Sequence, residues 1–303
     1  MKNKIIIGTR GSKLALIYAE RARLELLKNP EIENIEIKSI ITKGDTIKDK
    51  RLSEHGGKGL FCKTIEEELL SKKIDIAVHA LKDMPTEETN ELLTNCFLER
   101  NDPREILITN DNKNIKSLKP NAIVGTSSFR REFQIKKIRN DLNCKLIRGN
   151  VDTRIKKLNE NLYDAIILSY AGIKLLGLEK KISQTFSTSE IIPCAGQGVI
   201  ALQCRRNDEE LNVLLKKVNH QHTHNCIKAE RNVLKVLEGD CETAVGAFAS
   251  IDGNKINLEA ELFSLDGSKR FHLKSSKNIN KADELGIELG KTLKKVSNNC
   301  YKK

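Results

Sequence analysis

A loose internal repeat restricts this chain more than any other feature. Ile5-Ile6-Ile7-Gly8-Thr9-Arg10-Gly11-Ser12 leads into the helix-like stretch LALIYAERARLELL, and Ala122-Ile123-Val124-Gly125-Thr126-Ser127-Ser128-Phe129-Arg130-Arg131 opens a second one. Both read as strand, Gly-Thr, Ser, helix. A second correspondence follows, because KKIDIAVHALKD (72 to 83) and NLYDAIILSYAG (161 to 172) each place Asp before an apolar strand that ends in a small polar turn. Two α/β lobes of similar build are implied. In each, the Gly-Thr-Ser turn delivers the unpaired N–H groups of a helix start, where an anion is favoured. A ligand is therefore expected between the lobes.

Local composition divides the chain further. ERNDPRE (99 to 105) is polar and Pro-containing between apolar stretches, as befits a crossing into the second lobe, and IIPCAGQGVIALQCRR (191 to 206) carries the chain back. Beyond about residue 218 the pattern becomes a helix (219 to 237), the loop EGDCE, three alternating strands and a final helix near 281 to 296. Asp252-Gly253 and Asp266-Gly267 mark the hairpins between those strands. The expected division is residues 1–98 with 200–217 as lobe one, 99–199 as lobe two, and 218–303 as a small α+β domain with a three-stranded antiparallel sheet.

A chain of 303 residues buries roughly three quarters of its unfolded surface and needs no staples to hold a core. No stretch has the apolar length to span a bilayer, and MKNKIIIGTR holds too short an apolar run for a signal peptide, so a cytoplasmic location is expected. Eight cysteines without a Cys-x-x-Cys pair suggest neither a zinc site nor a disulfide framework. The net charge of +12 permits nucleic acid, an anionic surface or an acidic small molecule as partner. Only 15 of the 53 basic residues are Arg, so the placement of arginines says more than the total.

Asp83 is the leading catalytic candidate. It lies in HALKDMP, directly after the apolar run Ile74-Asp75-Ile76-Ala77-Val78, which reads as a buried parallel strand. Ligands of open α/β sheets gather beyond the carboxyl ends of such strands. Arg10, Arg130, Arg131, Arg148 and Arg154 fall at the starts of other expected helices, so one acid faces many fixed cations. That suits a polyanionic substrate whose reacting centre is handled by a single carboxylate. Position alone equally allows a helix cap or a structural ion pair for Asp83, and solvated surface charges for Arg130 and Arg131.

Other motifs are less specific. HGGKGLF (55 to 61), with Lys58 inside it, departs from the P-loop pattern, which disfavours nucleotide binding; it fits an anion cradle or a mobile lid. His220, His222 and His224 begin an expected helix, where they point in different directions, so no metal is expected. Cys241 stands in a turn between Asp240 and Glu242, whose charges disfavour a thiolate. It does not fit a nucleophile used at every turnover. A single reaction with a strong electrophile would tolerate those neighbours.

Taken together, RGSKLAL, TKGD, GGKGLF, DIAVHALKDMP, ERNDPRE, VGTSSFRR, LIRGNVDTR, YDAIILSYAGI, PCAGQGVIALQCR and AERNVLKVLEGDCETAVGAF closely resemble the porphobilinogen deaminase (hydroxymethylbilane synthase) family, along nearly the whole chain. The resemblance implies two lobes shaped like a periplasmic binding protein, a third domain, and a dipyrromethane cofactor joined by a thioether to Cys241. It implies a transferase of tetrapyrrole (haem, porphyrin) biosynthesis that condenses four porphobilinogen molecules head to tail, releases ammonia, and frees the linear tetrapyrrole with water. Asp83 matches the catalytic aspartate, stabilising the cation left when ammonia departs. Arg10, Arg130, Arg131, Arg148 and Arg154, with Lys58 and Lys82, would hold carboxylates, while Ser12, Thr126, Ser127 and Ser128 add donors.

Three positions depart from the family. Gly239-Asp240-Cys241 stands where Gly-Gly-Cys is common, Asp152 where Gly is usual, and Leu175 where many relatives carry Arg. Asp240 adds a carboxylate to the attachment loop, which bears on cofactor attachment; Asp152 and Leu175 remove positive potential near the site, which bears on contacts and affinity rather than on the reaction class. A monomer is expected, with porphobilinogen and the growing polypyrrole as partners and neither nucleic acid nor membrane. The competing readings are an RNA-contacting polyanion binder, which the 4% aromatic content and missing recognition motifs disfavour, and a solute-binding receptor without turnover.

Overall fold

The computed structural model describes residues 4–46, 59–239 and 243–302. Its first segment forms β1 (Lys4–Arg10), α1 (Lys13–Leu26), β2 (Asn34–Ile40), the single turn α2 (Lys43–Thr46), α3 (Lys63–Leu70), β3 (Ile76–Ala80) and β4 (Leu92–Phe97). The second runs through β5 (Glu105–Ile108), β6 (Ile123–Gly125), α4 (Phe129–Ile138), β7 (Asn143–Lys145), α5 (Val151–Asn159), β8 (Ala165–Ser169), α6 (Tyr170–Leu175) and β9 (Gln184–Thr185). The chain then returns through β10 (Ile200–Arg205) and α7 (Glu209–Val218). It finishes with α8 (Gln221–Leu237), the strands β11 (Val245–Asp252), β12 (Lys255–Phe263) and β13 (Arg270–Asn278), and α9 (Ala282–Ser297).

The two large sheets share one topology. The first has the order β2-β1-β3-β10-β4 and the second β7-β6-β8-β5-β9. In each, the first three strands are parallel and the fourth runs against its neighbours. That reversed strand is the one that crosses between lobes: β5 enters the second sheet and β10 returns to the first. The run 74 to 78 is thus parallel to β1 on one side only, and its other neighbour is antiparallel.

The repeated aspartates explain part of the likeness. Asp75 accepts a hydrogen bond from the Ile6 N–H at 2.9 Å and donates its own N–H to the Ile6 carbonyl at 2.8 Å. Asp164 does the same with Ile123, at 2.7 and 2.9 Å. Each side chain thereby extends a parallel strand pair by one backbone donor that the ladder leaves unpaired. Apolar side chains do the rest. Tyr18, Ala19, Ala22 and Leu26 form the buried stripe of α1, packed on Ile5, Ile7, Ile76 and Val78, and Ile65 and Leu69 of α3 cover the other face.

The third unit forms the expected hairpins, with Gly253 and Gly267 both at positive φ in the turns. Helices α8 and α9 pack together on its sheet around Val233, Leu258, Leu262, Leu289 and Leu293. They meet closely because Gly286 has no Cβ; one there would strike the Ala229 carbonyl oxygen.

The crossing segments are held from this unit. Asn101 N–H reaches the Gly198 carbonyl at 2.9 Å, and the Gln197 amide reaches the Pro103 carbonyl at 2.6 Å. Glu230 on α8 is fully buried and joins both: it pairs with Arg100 at 2.5 Å and accepts from the N–H groups of Gly196 and Ala249, each at 2.8 Å. Removing one member of a buried pair strands the other. Glu230→Ala is expected to cost about 3–5 kcal/mol, read as a fall in the urea midpoint; an unchanged midpoint would remove Glu230 from this role.

Candidate active site

Asp83 closes a short 3-10 turn, Leu81–Asp83, at the carboxyl end of β3. The turn is fixed from behind. Leu81 is buried, its N–H bonds to the Val199 carbonyl at 3.0 Å, and its side chain packs where a Cβ on Gly196 would lie 2.8 Å away. Gly196 also has φ +75°, so both conformation and space call for glycine. The crossing segment therefore sets where Asp83 stands.

Arg10 ends the neighbouring strand β1. Its guanidinium grips Asp45 through Nε at 3.2 Å and Nη2 at 2.5 Å, lies 3.9 Å over the Phe61 ring, and comes within 4.0 Å of Asp83. Burial opposes ionisation of Asp45, but hydrogen bonds from Arg10 and Thr42 outweigh it and hold the carboxyl below its usual range. Ser12 caps α1 by accepting from the Ala15 N–H at 3.3 Å. A recess of about 50 Å³ lies beside Asp83, lined among others by Tyr18, Cys62 and His79. Lys82 is exposed beside it.

Lobe two contributes the remaining cations. Thr126, Ser127 and Ser128 form the turn into α4; the hydroxyls of Thr126 and Ser128 accept within it, and that of Ser127 ties it to the segment before α5. Thr126 accepts from the Ser128 N–H at 3.1 Å, Ser128 caps α4 at Arg131 N–H, and Ser127 donates to the Ile147 carbonyl. Arg130 and Arg131 are buried and share Glu105, at 2.6 and 2.8 Å. Arg130 also donates to the Ile192 carbonyl at 2.8 Å, so its guanidinium faces the lobe interior. Desolvation penalises the Glu105 charge most, yet the two arginines overcome it and hold this carboxyl down at about 2.

Arg148 and Arg154 differ from these. Arg148 Nε is buried without a hydrogen-bond partner among the described residues, and burial together with the Arg10 charge lowers its pKa. Arg154 gives one hydrogen bond, to the Gly149 carbonyl at 2.8 Å, and is lowered to about 10 by burial and by the charges of Arg131 and Arg148, partly offset by Asp83. Arg10, Arg131, Arg148 and Arg154 thus feel one another across the space between the lobes, with Asp83 among them. Buried like charges lacking counterions are costly. A guest carrying several carboxylates relieves that cost.

Two family models match the chain: "Porphobilinogen deaminase, dipyromethane cofactor binding domain" over residues 5–213 and "Porphobilinogen deaminase, C-terminal domain" over 224–295. The chain belongs to the porphobilinogen deaminase family. It is 45% identical to the porphobilinogen deaminase of Rickettsia typhi over 97% of this chain and 99% of that protein. It is 40% identical to that of Alkaliphilus metalliredigens, over 95% and 92%. Among solved structures it is similar to the Bordetella pertussis BvgS periplasmic VFT2 domain, at 12% identity and TM-score 0.44, over 71% of this chain and 86% of that one. The deaminase family's dipyrromethane fits the cleft, because its carboxylates answer the unpartnered Arg148 Nε and the mutual repulsion of Arg148 and Arg154.

The remaining candidates are placed as follows. Lys58, Asp240 and Cys241 lie outside the described residues. His220 caps α8, accepting from the Thr223 N–H at 3.3 Å, and His224 packs edge-on against Phe97 at 5.3 Å. Among the described residues no cluster of His, Cys, Asp and Glu is arranged to hold a metal ion. Asp152 is exposed in the first turn of α5, where the helix dipole favours an acid, and Leu175 packs against the core of lobe one. Sequence reasoning missed Glu105 and Asp45. The signal for Glu105 was a lone carboxylate opening an apolar strand, EILI, in a chain with a paired Arg130-Arg131.

Glu105→Gln leaves two buried guanidiniums without their carboxylate, an expected loss of about 3–5 kcal/mol at pH 7. Because folding depresses this pKa from 4.5 to about 2, the wild-type advantage is complete above the ordinary carboxylate range and disappears as pH falls towards 2. Urea unfolding of both proteins across that range should show their midpoints converging; a constant gap would contradict the pairing.

Proposed function

We propose that this enzyme condenses four porphobilinogen molecules head to tail, with loss of ammonia, and releases hydroxymethylbilane by hydrolysis. The observation that carries this reading is the set of guanidiniums Arg10, Arg131, Arg148 and Arg154, linked from lobe to lobe by repulsion, of which Arg10 and Arg154 also act on the carboxylate of Asp83. Each ring added brings two more carboxylates, and a fixed array of cations suits that accumulation. When bound through Cys241, the dipyrromethane supplies the accepting ring on which the chain is extended.

The chain's own residues divide the work. Arg148 and Arg154 bind carboxylates and orient rings, joined by Lys58 and Lys82. Arg10 is held in place by Asp45 and Phe61, so it presents its Nη1 edge towards Asp83 without reorganising. Asp83 stabilises the positive charge that develops on the substrate pyrrole as ammonia leaves. Arg130 and Arg131 act with Glu105, the former as support for the α4 start, the latter nearer the cleft. The buffered turn Thr126, Ser127 and Ser128 sets where α4 begins, and Ser12 does the same for α1.

Lobe one is assigned to residues 1–98 with 200–217, lobe two to 99–199 and the attachment domain to 218–303, consistent with the strands each sheet draws on. A cytoplasmic monomer accords with the sequence. No helix among the described residues is long and apolar enough to cross a membrane.

Asp83→Ala should retain the attached cofactor while tetrapyrrole formation falls by about 10²–10³-fold, followed as porphyrin absorbance after oxidation; near-wild-type turnover would refute the role given to Asp83. The intact mass of denatured protein tests the attachment. Wild type is expected to carry the mass of two linked rings and Cys241→Ser none, whereas a loaded serine variant would move the attachment elsewhere.

A further inference from the structure

The imidazole of His79 is the one titratable group lining the Asp83 recess whose hydrogen bonding fixes its tautomer. Glu66 on α3 accepts from the Gln203 amide nitrogen at 3.0 Å, and its other oxygen accepts from the Thr89 hydroxyl at 3.0 Å. A carboxylate only accepts, so Gln203 must turn its Nε2 to Glu66 and its Oε1 to His79. Oε1 is likewise only an acceptor, and it lies 3.2 Å from His79 Nε2. His79 therefore carries its proton on Nε2. The lone pair of the neutral ring sits on Nδ1, which has no hydrogen-bond partner among the described residues.

Register places these groups together. On β3 and β10, His79 pairs with Ala201 and Ala77 with Gln203, so His79 and Gln203 are diagonal neighbours on one face of the sheet, beneath α3. The charged and titratable groups acting on the ring are Glu66 from α3, Asp83 from the turn after β3, and Arg10 from β1. Burial dominates over all of them and lowers the imidazole pKa, which keeps the ring neutral at pH 7.

We propose that His79 is a second proton-handling residue of this site, its Nδ1 accepting the ring proton released when two pyrroles are joined. The inference rests on the deaminase reading above. In each condensation the C–N bond of the aminomethyl arm breaks with its electron pair leaving on ammonia, and a C–C bond forms to the α-carbon of the accepting ring. The C–H electron pair of that carbon returns to the ring, and its proton passes to Nδ1. The imidazolium then gives the proton to the ammonia, which leaves as ammonium. No further reactant is consumed.

The test combines a pH–rate profile with a spectrum. Since Nδ1 acts only when the ring is neutral, kcat in wild type should fall as pH drops through the lowered His79 pKa. His79→Gln should reduce kcat by about 10²-fold or more, with KM little changed, and remove that acid limb. Glu66→Gln keeps the shape of the site but withdraws the carboxylate whose charge favours the imidazolium, and should move the limb downwards. An acid limb unaltered in both variants would overturn the proposal. Nitrogen NMR of ¹⁵N-histidine-labelled holoenzyme reads the tautomer without turnover, and a proton found on Nδ1 of His79 would overturn it too. Absence of any tetrapyrrole from wild type would instead sink the deaminase reading, while the spectrum still decides the tautomer.

Discussion

Repulsion among partly buried guanidiniums is the constraint on which the cleft depends. Two of the cleft arginines are discharged locally: Arg131 shares Glu105 with Arg130, and Arg10 is clasped by Asp45. Among the described residues Arg148 and Arg154 have no such carboxylate partner, and burial with the neighbouring positive charges lowers the pKa of both. In a partly desolvated cleft that cost is several times what it would be at an open surface. A polyanionic guest converts it into binding energy. The numerous surface lysines are too well hydrated to do this, which is why the charge total says so little.

The cleft is also mechanically tied to the crossing segments. The turn that carries Asp83 rests on Gly196, Gly196 N–H is held by Glu230, and Glu230 holds Arg100 on the opposite crossing segment. A shift of one lobe therefore acts on the catalytic turn through buried, hydrogen-bonded side chains rather than through loose ones. Hydrophobic packing supplies most of the stability of each unit, but the buried ionic groups fix their register.

Much of the fold could be read from the sequence because it lay in local pattern. The Asp75 and Asp164 repeat signalled two like sheets, and the Asp-Gly turns announced the hairpins of the third unit. The reversal of β5 and β10 was not legible, since an apolar run looks the same in either direction and only tertiary pairing decides it. Asp83 and the cleft arginines stood at strand and helix ends, where position is informative. The partners of Arg130 were not, because Glu105 meets it only after a strand from elsewhere in the chain is laid alongside. The hydroxyls of Thr126 and Ser128 accept from backbone N–H groups of the turn and of α4, which leaves their O–H groups to donate, whereas Ser127 gives its own to the Ile147 carbonyl; none of this could be read from the motif.

Binding and proton transfer place opposing demands on such a site, and this cleft separates them. Guanidinium groups hold carboxylates well because they stay charged and donate in a fixed fork, but for the same reason they neither take nor give protons. The groups able to do so, Asp83 and His79, line a small recess at the strand ends of lobe one, apart from Arg148 and Arg154 in lobe two. Arg10 does line the recess, but its guanidinium is committed to Asp45 and Phe61, which leaves the lone pair of His79 as the group there that can accept a proton from a neutral ring. The chain Glu66, Gln203, His79 resolves the second demand by spending its carboxylate on tautomer rather than on charge. Gln203 carries no charge of its own, so it transmits the direction of the hydrogen bonds from Glu66 while placing an amide, rather than a carboxylate, against the ring. A carboxylate at that position would face Glu66 across the 3.0 Å now spanned by the amide N–H, so the two acids would share a proton and the direction of the hydrogen bonds would be lost.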